Sequence, residues 1–125
     1  MNPIGEFVLT LLHAVTNTHI LHWKALVKQN YPEHVILGDF YPDLDKLVDT
    51  LMESMMGGYD IPPNFSDEYY RPANTSIEEL IELKEFVKEN RYELPQESEI
   101  QNIVDEIAAL LNQTIALLKA SPEKK

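Results

Sequence analysis

The chain has no cysteine, which excludes disulfides, zinc-thiolate sites and thiol catalysis, and nothing in it asks for an oxidising compartment. Positive charge is scarce: 10 Lys and Arg stand against 21 Asp and Glu, a formal net charge of −11. Binding to a phosphate backbone relies on such cations to release counterions, so direct nucleic-acid binding is not expected. The only basic tail is Lys124-Lys125, preceded by Glu123. An acidic surface instead concentrates cations near the protein, and it also keeps the chain soluble. No apolar run reaches the roughly 20 residues of a membrane span. The apolar start MNPIGEFVLTLLHAV lacks a basic flank and carries Glu6 and His13, so it reads as a helix and not as a signal, and a cytoplasmic setting is expected. Glycine is sparse, and no GxSxG, Walker A or dinucleotide glycine pattern occurs, nor a zincin HExxH, which removes support for hydrolytic and nucleophilic schemes.

What is present is helical periodicity. At 125 residues the chain has a one-domain length, read as a single domain over 1–120 with a flexible tail at 121–125. A first helix is capped by Asn2 with Pro3 in its first turn, and its apolar positions from Phe7 to Val27 recur near the helical period. Gln29-Asn30-Tyr31-Pro32 ends it. A second helical segment runs from about Glu33 to Met56. Pro42 lacks an amide and collides with the carbonyl of Gly38, so a kink or break is expected between them, with His34 on a separate short turn, unless Pro42 itself opens the helix proper. Gly57-Gly58 is expected to stop it. Residues 59–74 show no period and form a long connection. Thr75 or Ser76 caps a third helix with Glu78 or Glu79 closing a capping box, and a fourth runs from about Glu97 to Ala120. With no strand signal, the fold class is all-α, a four-helix bundle. A long crossover between the second and third helices makes an up-down-down-up bundle feasible.

Chemistry concentrates in the first half, which holds all four histidines. His22-Trp23 is followed 12 residues on by His34, then Asp49 and Glu53 lie 15 and 19 residues beyond that. The segment HWKALVKQNYPEHVILGDFYPDLDKLVDTLMES resembles, over roughly residues 19 to 58, the central motif of the Dps (DNA protection during starvation) branch of the ferritin-like superfamily. The resemblance implies a ferritin-like bundle with iron ligands at His22, His34, Asp49 and Glu53, a di-iron site shared between two subunits, Fe(II) oxidation by peroxide or oxygen, and a homo-oligomer that is a spherical dodecamer. Where that family has a fifth ligand, an Asp four residues after the second His, this chain has Gly38 with Asp39 beside it. The position is then filled by Asp39, by water or by nothing. The chain is shorter than typical members, with brief third and fourth helices, and a dimer is the natural product if no shell closes. Small ferritin-like proteins, virus-encoded ones included, look similar.

The spacing carries weight of its own. Iron favours mixed imidazole and carboxylate ligands, which these residues supply. On one helix His34 and Asp49 would be roughly 22 Å apart, so one chain cannot close the site. An isologous two-fold contact can, by setting the histidines of each subunit against the carboxylates of the other. Asp49 and Glu53, four apart, share a helix face. Two alternatives stand beside this. An intrachain site would bring His13 to the level of Asp49 and His19 to that of Asp43, with Asp105 or Glu106 near His13. A bundle without the redox centre would serve as a non-enzymatic assembly or binding module.

Overall fold

The computed structural model describes residues 2–121, so the tail assigned to 121–125 lies outside them beyond Ser121. Four helices form: α1 (Pro3–Val27), α2 (Tyr31–Tyr59), α3 (Ser76–Asn90) and α4 (Ser98–Ala120), with a 3-10 turn (Arg91–Glu93) after α3. No strand occurs among the described residues. Local chemistry sets most boundaries as expected. The Asn2 carboxamide oxygen accepts from the amides of Ile4 and Gly5, at 3.1 and 3.2 Å, and caps α1. Thr75 Oγ1 accepts from the Glu78 amide at 3.1 Å and caps α3. Between α1 and α2 the chain reverses in three residues. Gln29 takes the left-handed conformation (φ 60°), and the Asn30 side chain then accepts from the Glu33 amide to start α2.

The break expected between Gly38 and Pro42 is not formed. α2 runs without interruption through Pro42, and His34 sits in its first turn instead of on a separate one. Buried Leu37, Phe40, Leu44, Val48, Leu51 and Met55 recur three or four apart on both sides of the proline. A continuous buried stripe of this length outweighs the roughly 3 kcal/mol that an interior proline costs. The glycine pair does not stop the helix either. α2 continues to Tyr59 and is closed by Asp60 in the left-handed region (φ 55°), whose amide donates to Met55 O.

Around the bundle α1 packs on α2 and α3, and α4 packs on the same two, so the neighbours follow the ring order α1, α2, α4, α3. A single core cluster fills the centre, with Phe7, Phe40, Leu44, Leu80 and Ile107 fully buried within it. At one end a buried carboxylate joins three elements: Glu33 accepts from Ser76 Oγ at 2.6 Å and from Asn30 Nδ2 at 3.1 Å, and pairs with Lys28 at 2.9 Å.

Residues 60–75 form a strap packed against α1. Asn17 Nδ2 donates to Tyr70 O at 2.8 Å, the Tyr70 amide donates to His13 Nδ1 at 3.1 Å, and the Tyr70 hydroxyl donates to Glu6. Near its start the strap crosses α1 at Gly5, where a Cβ would lie 1.9 Å from Asn64 O, so only glycine admits the crossing. None of the described helices is long and apolar enough to cross a membrane.

Candidate metal centre

The tight α1–α2 corner brings His22, near the end of α1, against His34, at the start of α2. Their rings stack at 3.8 Å between centroids with 14° between planes. Each ring also bonds the other residue's backbone: His22 Nδ1 lies 2.6 Å from His34 O, and His34 Nδ1 lies 2.9 Å from His22 O. A carbonyl can only accept, so both Nδ1 atoms carry the proton and donate. In the neutral imidazole this leaves each Nε2 as an acceptor, the arrangement that second-shell carbonyls impose on metal-binding histidines.

Gly38 is part of the same geometry. One turn beyond His34, it faces the His22 ring, and a Cβ there would lie 2.8 Å from His22 Cε1 and 3.1 Å from Nδ1. The ring thus occupies the space that a side chain at 38 needs. Asp39, next along the helix, is exposed. Rings continue beyond the pair: His19 stacks on Tyr41 at 4.1 Å and meets Trp23 at 4.2 Å.

Asp49 and Glu53 are exposed on α2, well away from the histidines on the same unbroken helix. At about 1.5 Å per residue the 15 residues from His34 to Asp49 span roughly 22 Å. Accordingly, among the described residues no three His, Asp or Glu side chains of one chain are grouped to hold a metal ion.

The intrachain alternative is not formed. His13 accepts from the strap amide of Tyr70 and packs against the rings of Tyr69 and Tyr70, at 5.2 and 5.4 Å, instead of facing Asp49. His19 is taken up by Tyr41 instead of Asp43, and Asp105 by Arg91 at 2.6 Å. For His13 the physical reason is the strap, which covers that face of α1 with its own polar partners.

The sequence pattern of a family of unknown function (DUF5856) matches residues 22–118. The chain belongs to that family. The matched span opens on His22 and takes in His34, Asp49 and Glu53, so the whole candidate centre of this DUF5856 member falls inside it. No curated protein and no solved structure matches the chain.

Spacing alone could not reveal one further feature of the site. Trp23, Leu26, Val27, Tyr31 and Val35 are exposed around the α1–α2 corner, with Val27 at 86% and Tyr31 at 66%. By their spacing the apolar positions up to Val27 form one periodic set, and the structure departs from it: Trp23, Leu26 and Val27 leave the core at the end of α1 and gather beside the histidine pair.

Proposed function

We propose that this DUF5856 member is a Dps-like, ferritin-type iron-binding protein that oxidises Fe(II) at a centre shared across a two-fold dimer. His22 and His34 of one subunit act with Asp49 and Glu53 of the other, and Fe(II) is the substrate. The observation that carries this reading is the reciprocal clamp, which fixes both imidazoles with Nε2 left to accept beside an exposed apolar surface. Nitrogen ligands at one end of α2 and carboxylates roughly 22 Å along it are the two halves that an isologous contact would join. The ring order α1, α2, α4, α3 supports an up-down-down-up bundle, because in that topology every neighbouring pair on the ring is antiparallel.

Gly38 favours a second reading. With the His22 ring over that position no carboxylate can project from it, and a clamp of two rings on two carbonyls also serves to lock a hairpin. On this reading the chain is a ferritin-like assembly or binding module without a redox centre.

Complementation separates the two. A His22→Ala, His34→Ala variant and an Asp49→Ala, Glu53→Ala variant are each expected to lose stoichiometric Fe(II) binding and peroxide-driven oxidation. Mixed after dissociation and reassociated, they should regain about a quarter of the wild-type sites, since half of the dimers are hybrids and each hybrid holds one intact site of two. Iron bound by the wild type with no recovery on mixing would sink the shared site. Absence of iron binding by the wild type would leave the assembly module.

A further inference from the structure

Away from the histidine pair, a slot of about 530 Å³ opens between α1 and α3 beneath the strap. Its volume lies within the range of small-molecule pockets. Ala14 and Leu83 give it an apolar base, and Tyr69, Tyr70 and Phe86 supply aromatic walls. Glu79 lines it at only 9% exposure, while Glu82 beside it is exposed. The partners of the Glu79 carboxylate are neutral donors: the Ala73 amide at 2.8 Å and the side chain of Asn17. Among the described residues no Lys, Arg or His pairs with it. Burial, opposed by those hydrogen bonds, holds its carboxyl above the ordinary glutamate value. An ionised carboxylate so placed is short of a counterion, and a cation among aromatic rings is attracted to their electron-rich faces. Arg71 at the same slot is exposed, so two carboxylates stand against one guanidinium.

We propose that this slot is a binding site for a primary organic ammonium ion, its N–H groups donating to the Glu79 and Glu82 carboxylates and its charge and apolar body held among Tyr69, Tyr70 and Phe86. The site is independent of the metal centre. Carboxylates supply the recognition of charge, whereas the rings distinguish an organic cation from a hydrated inorganic one.

Benzylammonium and its neutral analogue benzyl alcohol are the probes, titrated into the intact protein at constant ionic strength while ring signals of Tyr69, Tyr70 and Phe86 are followed by NMR. Saturable shifts with benzylammonium are expected, with affinity at least about tenfold weaker for the alcohol and for Glu79→Gln, the contribution of one charge-assisted hydrogen bond. Potassium chloride at matched ionic strength should not displace the amine. Tyr69→Leu, at an exposed wall, and Glu82→Gln at the rim provide two further variants that should each weaken binding several-fold. Equal affinity for amine and alcohol, displacement by potassium, unchanged affinity in folded Glu79→Gln and Tyr69→Leu, or no saturable shift in the wild type would each overturn the proposal.

Discussion

At Gly38 two effects of opposite sign meet. An interior helical glycine replaced by alanine ordinarily gains up to about 1 kcal/mol from helix propensity. Here the added Cβ would press on a His22 ring that is held from behind by its bond to His34 O, and forcing atoms into a packed site costs about 1–3 kcal/mol. Gly38→Ala is therefore expected to destabilise the protein in urea unfolding. Gly57→Ala and Gly58→Ala, where a Cβ meets open space, should stabilise it by about 0.5–1 kcal/mol each. A gain at position 38 equal to that at 57 would mean the His22 ring is not clamped. The same geometry predicts that Gly38→Asp, which places a carboxylate at that position, lowers stability and displaces His22. Glu33, with its buried hydrogen bonds to Ser76 and Asn30, gives the converse case. Loss of hydrogen bonds to a charged group in Glu33→Ala should cost about 2–3 kcal/mol, read by the same unfolding measurement.

Elements differ in how far they were legible. The caps at Asn2 and Thr75 follow from side-chain oxygens one turn from bare amides, a matter of neighbouring residues only, and they stand where the sequence places them. The continuity of α2 through Pro42 does not follow from neighbours. It depends on a buried stripe that packs against α1 and α4, which local rules for proline do not weigh. The histidine clamp was equally hidden, since ring-to-carbonyl bonds across the corner depend on the left-handed Gln29 that tightens it. For the strap, pH is the probe. Hydroxyls of Ser66 and Tyr70 hold the Glu6 carboxyl below its ordinary value. Its contribution is thus present above the ordinary glutamate value and lost as pH falls through the lowered one. Glu79, raised chiefly by burial, acts in the other sense: its contribution is present below the ordinary value and lost as pH rises through the raised one. Glu6→Gln should accordingly destabilise the protein near neutrality and lose that effect in strong acid, whereas Glu79→Gln should stabilise it near neutrality with the gain vanishing on acidification. Urea midpoints followed across the acid range test both, and a pair of variants with the same pH trend would refute the assignment.

For the whole molecule the decisive quantity is mass. The apolar corner of Trp23, Leu26, Val27, Tyr31 and Val35 is flanked by Lys24 and Lys28, whereas the exposed face of α2 farther along carries Asp43, Asp45, Asp49 and Glu53. Under the proposed function these two ends would meet across the two-fold axis, apolar surface supplying affinity and opposite charge supplying orientation. On that reading Val27→Glu, at the most exposed of these apolar residues, is expected to give a monomer by light scattering where the wild type is a dimer or larger assembly, and to lose the proposed iron oxidation without touching a proposed ligand. A wild-type protein that is already monomeric, or a Val27→Glu variant that keeps its mass, would remove this surface from the account.

The strap also sets an order of events in time. The His22 and His34 clamp closes a loop of a dozen residues, whereas the bond from Tyr70 to Glu6 joins positions 64 apart. Loop-closure entropy grows with separation, so the α1–α2 hairpin can form early and the α3–α4 pair separately, before the strap seals the two halves. The same seal should be the first to part. Brief openings that free Tyr70 from His13 and Asn17 would widen the slot between α1 and α3 while both hairpins stay folded, so that the bundle's long non-helical segment would set how fast a solute enters and leaves it.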